Sequence, residues 1–347
     1  MNHALLSYLR ALPKVELHNH LEGGSMYPEL ALELARANGM TLPFHDAASA
    51  EKFYQFTSLD QFISILRTTV ATLNTASDYA RAVERHGQLA ASQNIRYHEL
   101  FVTYGLVSRR GVKWEAIAEG LAEGIRINRE KHGVDTAFIV DLDRTLDPGT
   151  AVQHVELAAR DRERCHVVGI GLDCQERGYP AGRLKAAFDR ARELGFRLTA
   201  HAGEDGGPES VWDALLNCGV ERIEHGVQAI QDPKLVAYLA EKRIPLTVCP
   251  VSNILLRVYP KMEDHSFRRL LDAGVRLTVN SDDPPMFATD MVNDLVQVAE
   301  TFALTVDELT QIVRTAFEVA FWSPERRDAE LQIFDLTAAK LRAQFGL

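Results

Sequence analysis

Short apolar runs alternate with amphipathic segments of helical period along this sequence, and this alternation constrains the fold more than any other feature. The runs are typical of buried β-strands and lie at 14–20, 95–102, 134–142, 166–173, 196–203, 220–226, 244–250 and 275–283. Helical patterns between the later runs occupy 186–195, 208–219, 233–243 and 265–274. Parallel strands need crossover helices, and a closed barrel leaves no exposed edge. We therefore expect an α/β fold, a (β/α)8 TIM barrel.

The segment between the first and second strands is longer than one crossover helix requires. Two helical patterns within it, 26–39 and 58–74, predict extra helices inserted after the first strand, where a lid over the barrel mouth would sit. No linker rich in Gly, Ser or Pro interrupts the chain. We expect a single barrel domain over 1–347.

Charge and cysteine usage exclude several classes of function. The net charge is −10 and no basic stripe is visible, so we expect no nucleic-acid partner. No apolar stretch approaches the ~20 residues that span a bilayer, and the N-terminal residues lack the pattern of a secretory signal. The four cysteines are far apart and form no C-x-x-C pair, which is typical of reduced residues. We expect a cytoplasmic protein without a membrane partner; the oligomeric state stays open.

Polar side chains collect where the predicted strands end. In VELHNHLEGG, His18 and His20 are two residues apart and share one face of a strand, as does Glu22 if the extended backbone continues. The same enrichment occurs at the ends of the fifth, sixth and eighth strands, with His201 and Glu204, Glu224 and His225, and Asp282 and Asp283. Active sites of parallel barrels form at these carboxyl ends, so we expect the site there.

Three histidines on two strand ends are a metal-site pattern. His18, His20 and His201 with one aspartate would offer neutral imidazoles and a carboxylate, a set that suits Zn²⁺. Either Asp282 or Asp283 could supply the carboxylate, since adjacent residues at a strand end point opposite ways. We expect one Zn²⁺ per subunit.

Five segments resemble the motifs of the adenosine/adenine deaminase family of the amidohydrolase superfamily. They are LPKVELHNHLEGG, LTAHAGED, ERIEHGVQ, LTVCPVSN and LTVNSDDPPMF, and they occur in that family's order and spacing from residue 12 to residue 287. The resemblance implies hydrolytic deamination of a small 6-aminopurine at C6. It also implies that His18, His20, His201 and Asp282 bind the zinc, and that Asp283 contacts the purine.

The resemblance also implies catalytic roles. Glu204 would donate a proton to ring N1, which requires a raised pKa in a dry pocket. His225 would orient the attacking water and take part in its deprotonation, and Asp282 would shuttle a proton. Cys174, at the end of the fourth strand, is a candidate substrate contact because the family places substrate-contacting backbone there.

Other polar residues near these motifs have a structural interpretation. Glu224 is expected to point away from the site. Asn253 is expected to form loop hydrogen bonds, and His265 to cap or pack against the helix that follows it.

The hypothesis about the preferred substrate rests on Glu22. Adenosine deaminases of the family have Asp here, whereas the adenine deaminase-like branch has H-x-H-x-E-G. The extra methylene extends the carboxylate by about 1.5 Å, into the space of a ribose. This favours adenine or an N6-substituted adenine over adenosine.

Several alternatives stay open beside this hypothesis. The substrate alternatives are adenosine and aminodeoxyfutalosine. A two-metal hydrolase of the same superfamily is a further alternative, although the fourth strand offers only Asp173 as a bridging group. A barrel kept as a binding protein is disfavoured because every catalytic group is present.

Overall fold

Eight parallel strands form a nearly closed barrel in which the order of the strands is the order of the chain. The computed structural model describes residues 3–57 and 59–347. The strands are β1 (Lys14–His20), β2 (Ile95–Val102), β3 (Asp135–Asp143), β4 (Val167–Asp173), β5 (Arg197–Ala202), β6 (Arg222–His225), β7 (Leu246–Val248) and β8 (Leu277–Val279). All eight predicted strands are confirmed, and so is the TIM-barrel fold.

Helices surround the barrel and connect its strands. They are α1 (His3–Ala11), α2 (Leu21–Ser25), α3 (Pro28–Ala37), α4 (Ala47–Phe53), α5 (Leu59–Val70), α6 (Ala76–Ser92), α7 (Tyr104–Ser108), α8 (Trp114–Ile127), α9 (Pro148–Arg160), α10 (Lys185–Glu193), α11 (Pro208–Asp213), α12 (Pro233–Lys242), α13 (Pro250–Leu255), α14 (Phe267–Asp272), α15 (Pro284–Phe287), α16 (Met291–Thr301), α17 (Val306–Val319) and α18 (Pro324–Phe345). Shorter turns are 3-10 helical at Ala181–Leu184, Val227–Gln231 and Met262–Asp264, and π-helical at Asn128–His132 and Ala214–Cys218. None of the described helices is long and apolar enough to cross a membrane.

The predicted helices are present, with one difference. The pattern at 208–219 divides into α11 and the π-helical turn Ala214–Cys218, which ends at Gly219 with a left-handed φ of 63°. Glycine adopts that conformation without a steric penalty, so the turn can end there and lead into β6.

The barrel closes between β8 and β1 through the segment that carries Asp282. The backbone N–H of Leu17 donates to Oδ1 of Asn280 at 2.9 Å, which replaces a backbone contact. Two backbone hydrogen bonds of 3.1 Å follow: His20 N donates to Asp282 O, and Asp282 N donates to His18 O. The residues that close the barrel therefore also place the site candidates next to each other.

Helix α5, from the insertion between β1 and β2, lies over the carboxyl end of the barrel. The ring of Phe62 stacks on Phe287, which follows β8, at a centroid distance of 5.3 Å. Leu66 lies so close to Gly23 that a β-carbon there would be 2.9 Å from Leu66 Cδ1. The predicted inserted helices are present as α3 and α5, and α5 lies at the barrel mouth; Ser58, within the predicted segment 58–74, lies outside the described residues.

Candidate active site

Three histidines from two strands meet at the carboxyl end of the barrel. His18 and His20 lie on β1, and His201 lies on β5. Nε2 of His201 is 3.1 Å from Nε2 of His18 and 3.2 Å from Nε2 of His20. Oδ1 of Asp282 lies 3.6 Å from Nε2 of His18 and 3.4 Å from Nε2 of His20. Four ligands at ordinary zinc distances in a tetrahedron are separated by roughly 3.3 Å, so this spacing fits one ion.

The hydrogen bonds of two of these rings show why a cation belongs between them. Nδ1 of His18 lies 3.1 Å from the carbonyl oxygen of Thr247, and Nδ1 of His201 lies 3.0 Å from that of Leu172. A carbonyl only accepts, so each Nδ1 donates and each neutral ring keeps a lone pair on Nε2. Burial lowers the pKa of both rings well below the usual value, so both are neutral. Two lone pairs facing each other at 3.1 Å fit a shared metal ion.

Both adjacent aspartates after β8 face the pocket, contrary to the alternation expected at a strand end. Asp282 has a left-handed φ of 65°, which breaks the extended backbone and lets Asp283 line the same pocket. Oδ1 of Asp282 faces the histidines, and its Oδ2 accepts from Oγ of Ser252 at 2.7 Å. Of the two aspartates, Asp282 thus has the position of a metal ligand relative to His18 and His20.

Glu204 projects from the loop after β5, and the carboxylate of Glu176 holds that loop in place. Glu176 accepts from the backbone N–H groups of Gly203 at 2.7 Å, Glu204 at 2.8 Å and Asp205 at 3.1 Å. The Glu204 side chain is 21% exposed. Burial, followed by the charges of Glu176 and Asp205, raises the pKa of Glu204 to about 8. Glu204 is therefore protonated at neutral pH, as a general acid must be.

His225 ends β6 with a left-handed φ of 61°, which turns its ring into the pocket. Its Nε2 lies 3.6 Å from Oε2 of Glu204 and 3.9 Å from Oδ2 of Asp282. These three side chains surround one small space beside the histidine cluster.

Glu224 does not point away from the site, so that prediction is wrong. Its Oε2 lies 3.3 Å from Nδ1 of His18 and also accepts from the hydroxyl of Thr247. Its Oε1 accepts from Nε of Arg222 at 2.9 Å, and Nη1 of Arg222 donates to Glu99 at 2.6 Å. A buried chain of charges in the barrel interior therefore leads to one of the site histidines. The left-handed backbone at His225 explains why the adjacent side chains of Glu224 and His225 both face inward.

Glu22 is in the pocket, although the extended backbone ends at His20 and Glu22 lies on the short helix α2. Its Oε1 accepts from the backbone N–H of Thr103 at 3.1 Å, and burial raises the pKa of Glu22 to about 8. Oε2 of Glu22 and Oδ1 of Asp283 are buried without a hydrogen-bond partner among the described residues. Unpartnered buried oxygens of this kind are suited to donors of a bound ligand.

Gly23 allows Asp283 to approach. A β-carbon at Gly23 would overlap the Asp283 carboxylate, so no larger residue fits between α2 and this side chain. Cys174 follows β4 with a left-handed φ of 69°, is exposed, and hydrogen-bonds to the carboxylate of Asp173.

Several residues that contribute to this site carry no signal in the sequence. Glu176 contacts it from a loop and Ser252 from α13, and nothing in QERGYP or CPVSN marks them as partners of Glu204 and Asp282. Asp141, on β3, is buried; among the described residues neither carboxylate oxygen accepts a hydrogen bond, and Oδ2 lies 3.8 Å from Nδ1 of His201. A β-carbon at Gly171 would overlap it, so the missing side chain on β4 makes its room. Only the alternation of β3 could have placed Asp141 inside the barrel.

A parallel barrel with three histidines and an aspartate at its carboxyl end, and with a protonated glutamate beside them, is the arrangement of a metal-dependent hydrolase. The chain matches the family model described as adenosine deaminase over residues 13–335. It is 39% identical over 313 residues to an adenine deaminase of Albidiferax ferrireducens, covering 90% of each chain. The chain belongs to the adenosine deaminase family, and it is a hydrolase that acts on carbon–nitrogen bonds of cyclic amidines.

Two solved structures are similar over almost their whole length. One is an adenine deaminase from Arthrobacter aurescens, with a TM-score of 0.88, 32% identity, and coverage of 94% of this chain and 98% of that chain. The other is an amidohydrolase from Burkholderia ambifaria with bound zinc, with a TM-score of 0.88, 28% identity, and coverage of 99% and 96%. This similarity and the donor set agree on metal dependence.

Proposed function

We propose that this protein is a zinc-dependent hydrolytic deaminase of a 6-aminopurine, with adenine or an N6-substituted adenine as its preferred substrate. The observation that carries the proposal is the convergence of His18, His20, His201 and Asp282 beside Glu204, a carboxyl group whose pKa burial raises to about 8. The relatives named adenine deaminase support the substrate class. The products are the 6-oxopurine and ammonia or an amine.

His18, His20, His201 and Asp282 would hold one Zn²⁺ per subunit. Bound there, the ion supplies a nucleophile at neutral pH by lowering the pKa of water to near ~7. His18 and His201 are held for this task by their Nδ1 hydrogen bonds to backbone carbonyls, which fix the ring orientation.

The surrounding side chains divide the proton transfers. Glu204 donates its proton to ring N1, which makes C6 electrophilic, and the Glu176 carboxylate keeps its loop in place. His225 orients the attacking water, and Asp282 receives and passes on its proton. Asp283, whose pKa burial raises well above its usual value, donates a hydrogen bond from its protonated carboxyl group to N7 of the purine.

Glu22 sets the preference for a free base. Its Oε2 is buried without a hydrogen-bond partner among the described residues, and its pKa of about 8 favours the protonated form at neutral pH. A protonated carboxyl can donate to one ring nitrogen and accept from a ring N–H. Adenine offers such a nitrogen pair at N3 and N9, whereas the N9 of adenosine is substituted. Cys174 is a further proposed contact at the pocket edge.

The test is ammonia release, followed together with the ultraviolet change from 6-amino to 6-oxo purine. The zinc-loaded protein is assayed with adenine, N6-methyladenine, adenosine, deoxyadenosine and aminodeoxyfutalosine. We expect the highest kcat/KM with adenine or its N6-derivative. Preference for a nucleoside would contradict the role of Glu22 but leave the proposed deamination in place. No turnover of any compound would overturn the proposed deamination.

We propose further that the whole chain works as one barrel domain in the cytoplasm, with a small purine as its only predicted partner. All four cysteines are free, as expected of a protein in a reducing compartment. Fractionation of cells that express a tagged copy tests the location.

A further inference from the structure

The buried side chains of His225, Asn253 and His265 form a chain of hydrogen bonds that leads away from the pocket. Nδ1 of His225 lies 3.2 Å from Nδ2 of Asn253, and Oδ1 of Asn253 lies 3.1 Å from Nε2 of His265. The chain ends at the backbone N–H of Phe267, which donates to Nδ1 of His265 at 3.0 Å. His225, Asn253 and His265 are 1%, 0% and 2% exposed, so water does not compete for these hydrogen bonds.

The direction of every hydrogen bond in this chain follows from its last member. A backbone N–H only donates, so Nδ1 of His265 accepts, and the neutral ring carries its proton on Nε2. That proton is donated to Asn253, whose amide oxygen is the only atom of its side chain that accepts. The amide nitrogen then faces His225 and donates to Nδ1. Burial lowers the pKa of His265 to about 3, which agrees with a neutral His265 ring.

We propose that Asn253 and His265 are positioning residues that hold His225 as the tautomer with its proton on Nε2. This nitrogen is the one that faces the pocket, 3.6 Å from Glu204 and 3.9 Å from Asp282. In the resting enzyme His225 therefore meets the water or the substrate as a hydrogen-bond donor. It does not accept the water's proton at Nε2.

The consequence for the reaction rests on the proposed function. When the water attacks C6, the O–H bond that breaks gives its proton to Asp282, because Glu204, the other carboxyl group beside His225, is the proton donor to N1. The positive end of the His225 N–H stabilises the negative charge that develops on the attacking oxygen. This differs from the base role that the sequence predicts for His225, and Asn253 and His265 have more than the structural role predicted for them.

The test is the protonation state of the His225 ring, measured without substrate. Zinc-loaded protein labelled with ¹⁵N-histidine is studied by two-bond ¹H–¹⁵N correlation, and His225 is assigned by comparison with His225→Gln. We expect a protonated Nε2 and an unprotonated Nδ1. A proton on Nδ1 in the wild-type protein overturns the proposal, whether or not any variant folds.

Two variants test which side chain sets the tautomer of His225. Asn253→Asp replaces the donor next to Nδ1 by an acceptor of the same size, so we expect Nδ1 to become protonated and kcat to fall about 100-fold or more, with a smaller change in KM. His265→Gln keeps a donor for Asn253 but removes the acceptor for Phe267. We expect a lower melting temperature with the wild-type tautomer, and a proton on Nδ1 of His225 in this variant would overturn the role of the donor at position 265.

Asn128→Asp is the matched control, because Asn128 is also fully buried and its Nδ2 donates elsewhere, to the carbonyl of Val83 at 2.9 Å. It should lower stability without changing the His225 signals. An unchanged His225 spectrum in Asn253→Asp would overturn the role of Asn253. Because the spectra need no substrate, inactivity toward every purine would refute the proposed function and leave this inference to be judged by the ring signals.

Discussion

Oε2 of Glu224 lies 3.3 Å from Nδ1 of His18, so a carboxylate in the barrel interior backs an imidazole of the candidate zinc site. Both groups are fully buried, and the carboxylate is itself bound by Arg222. Such a partner orients a ligand ring and raises its basicity. The ion pairs of the barrel core and the metal site are therefore one connected structure.

Glu224→Gln should weaken zinc binding about 10- to 100-fold, because the ring of His18 loses its charged partner. The measurement is zinc affinity by competition with a chromogenic chelator. Glu99→Gln is the matched control: Glu99 also binds Arg222 but does not bond to His18. Both variants should lower the melting temperature, and equal zinc affinity in the two would contradict the prediction.

Glu204→Gln should keep the metal and lose turnover by a factor of about 10² to 10⁴, because it removes the proton donor and leaves the ligands in place. Metal content and kcat are measured on the same preparation. His201→Ala should lose both. Glu209→Gln, the same change at a neighbouring acidic position outside the site, should behave as wild type. A fully active Glu204→Gln enzyme would remove Glu204 from the mechanism.

The pH profile should show an alkaline limb. The acid form of Glu204 is the active one, so kcat/KM is retained below its pKa of about 8 and falls as the pH rises through that value. The charge of Glu176 contributes to this raised pKa. Glu176→Gln should therefore move the limb to lower pH, whereas Glu193→Gln, at the exposed end of α10, should leave it in place. A profile that is flat to pH 10, or the same limb in Glu176→Gln, would be inconsistent with this assignment.

Glu22→Asp should lower kcat/KM for adenine by about 10-fold, the value of one hydrogen bond, because the shorter carboxyl withdraws from the pocket. It should also raise the ratio of adenosine to adenine activity, since space for a ribose opens. Steady-state kinetics with both substrates measure the ratio. Glu29→Asp, on α3 outside the pocket, is the control. An unchanged ratio would show that Glu22 does not determine specificity.

The sequence predicts the fold of this protein better than the details of its site. The apolar runs mark every strand because parallel barrel strands are buried on both faces. The strand ends also predict that His18, His20, His201 and the pair Asp282 and Asp283 gather at one end of the barrel, and the structure brings these side chains together. Alternation fails at Glu224, whose neighbour His225 has a left-handed backbone that the sequence does not announce.

Hydrogen-bond partners that are distant in the sequence are the other features that the sequence does not predict. Glu176 is 28 positions from Glu204, and Asn253 is 28 positions from His225. Their pairing depends on how the loop that carries Glu176 and the helix α13 that carries Asn253 pack at the barrel mouth. Side-chain hydrogen bonds of this kind leave no periodic pattern in a sequence.

The left-handed residues at the carboxyl ends of the strands have an energetic consequence. Cys174, His225 and Asp282 follow or end β4, β6 and β8, and each has a φ between 61° and 69°. For residues other than glycine this conformation costs on the order of 1–3 kcal/mol each. Glycine would remove that cost but would bring no side chain to the pocket. Glycine would thus be less strained at all three even-numbered strand ends, and two of the side chains that bring this cost, His225 and Asp282, are ones that face the pocket.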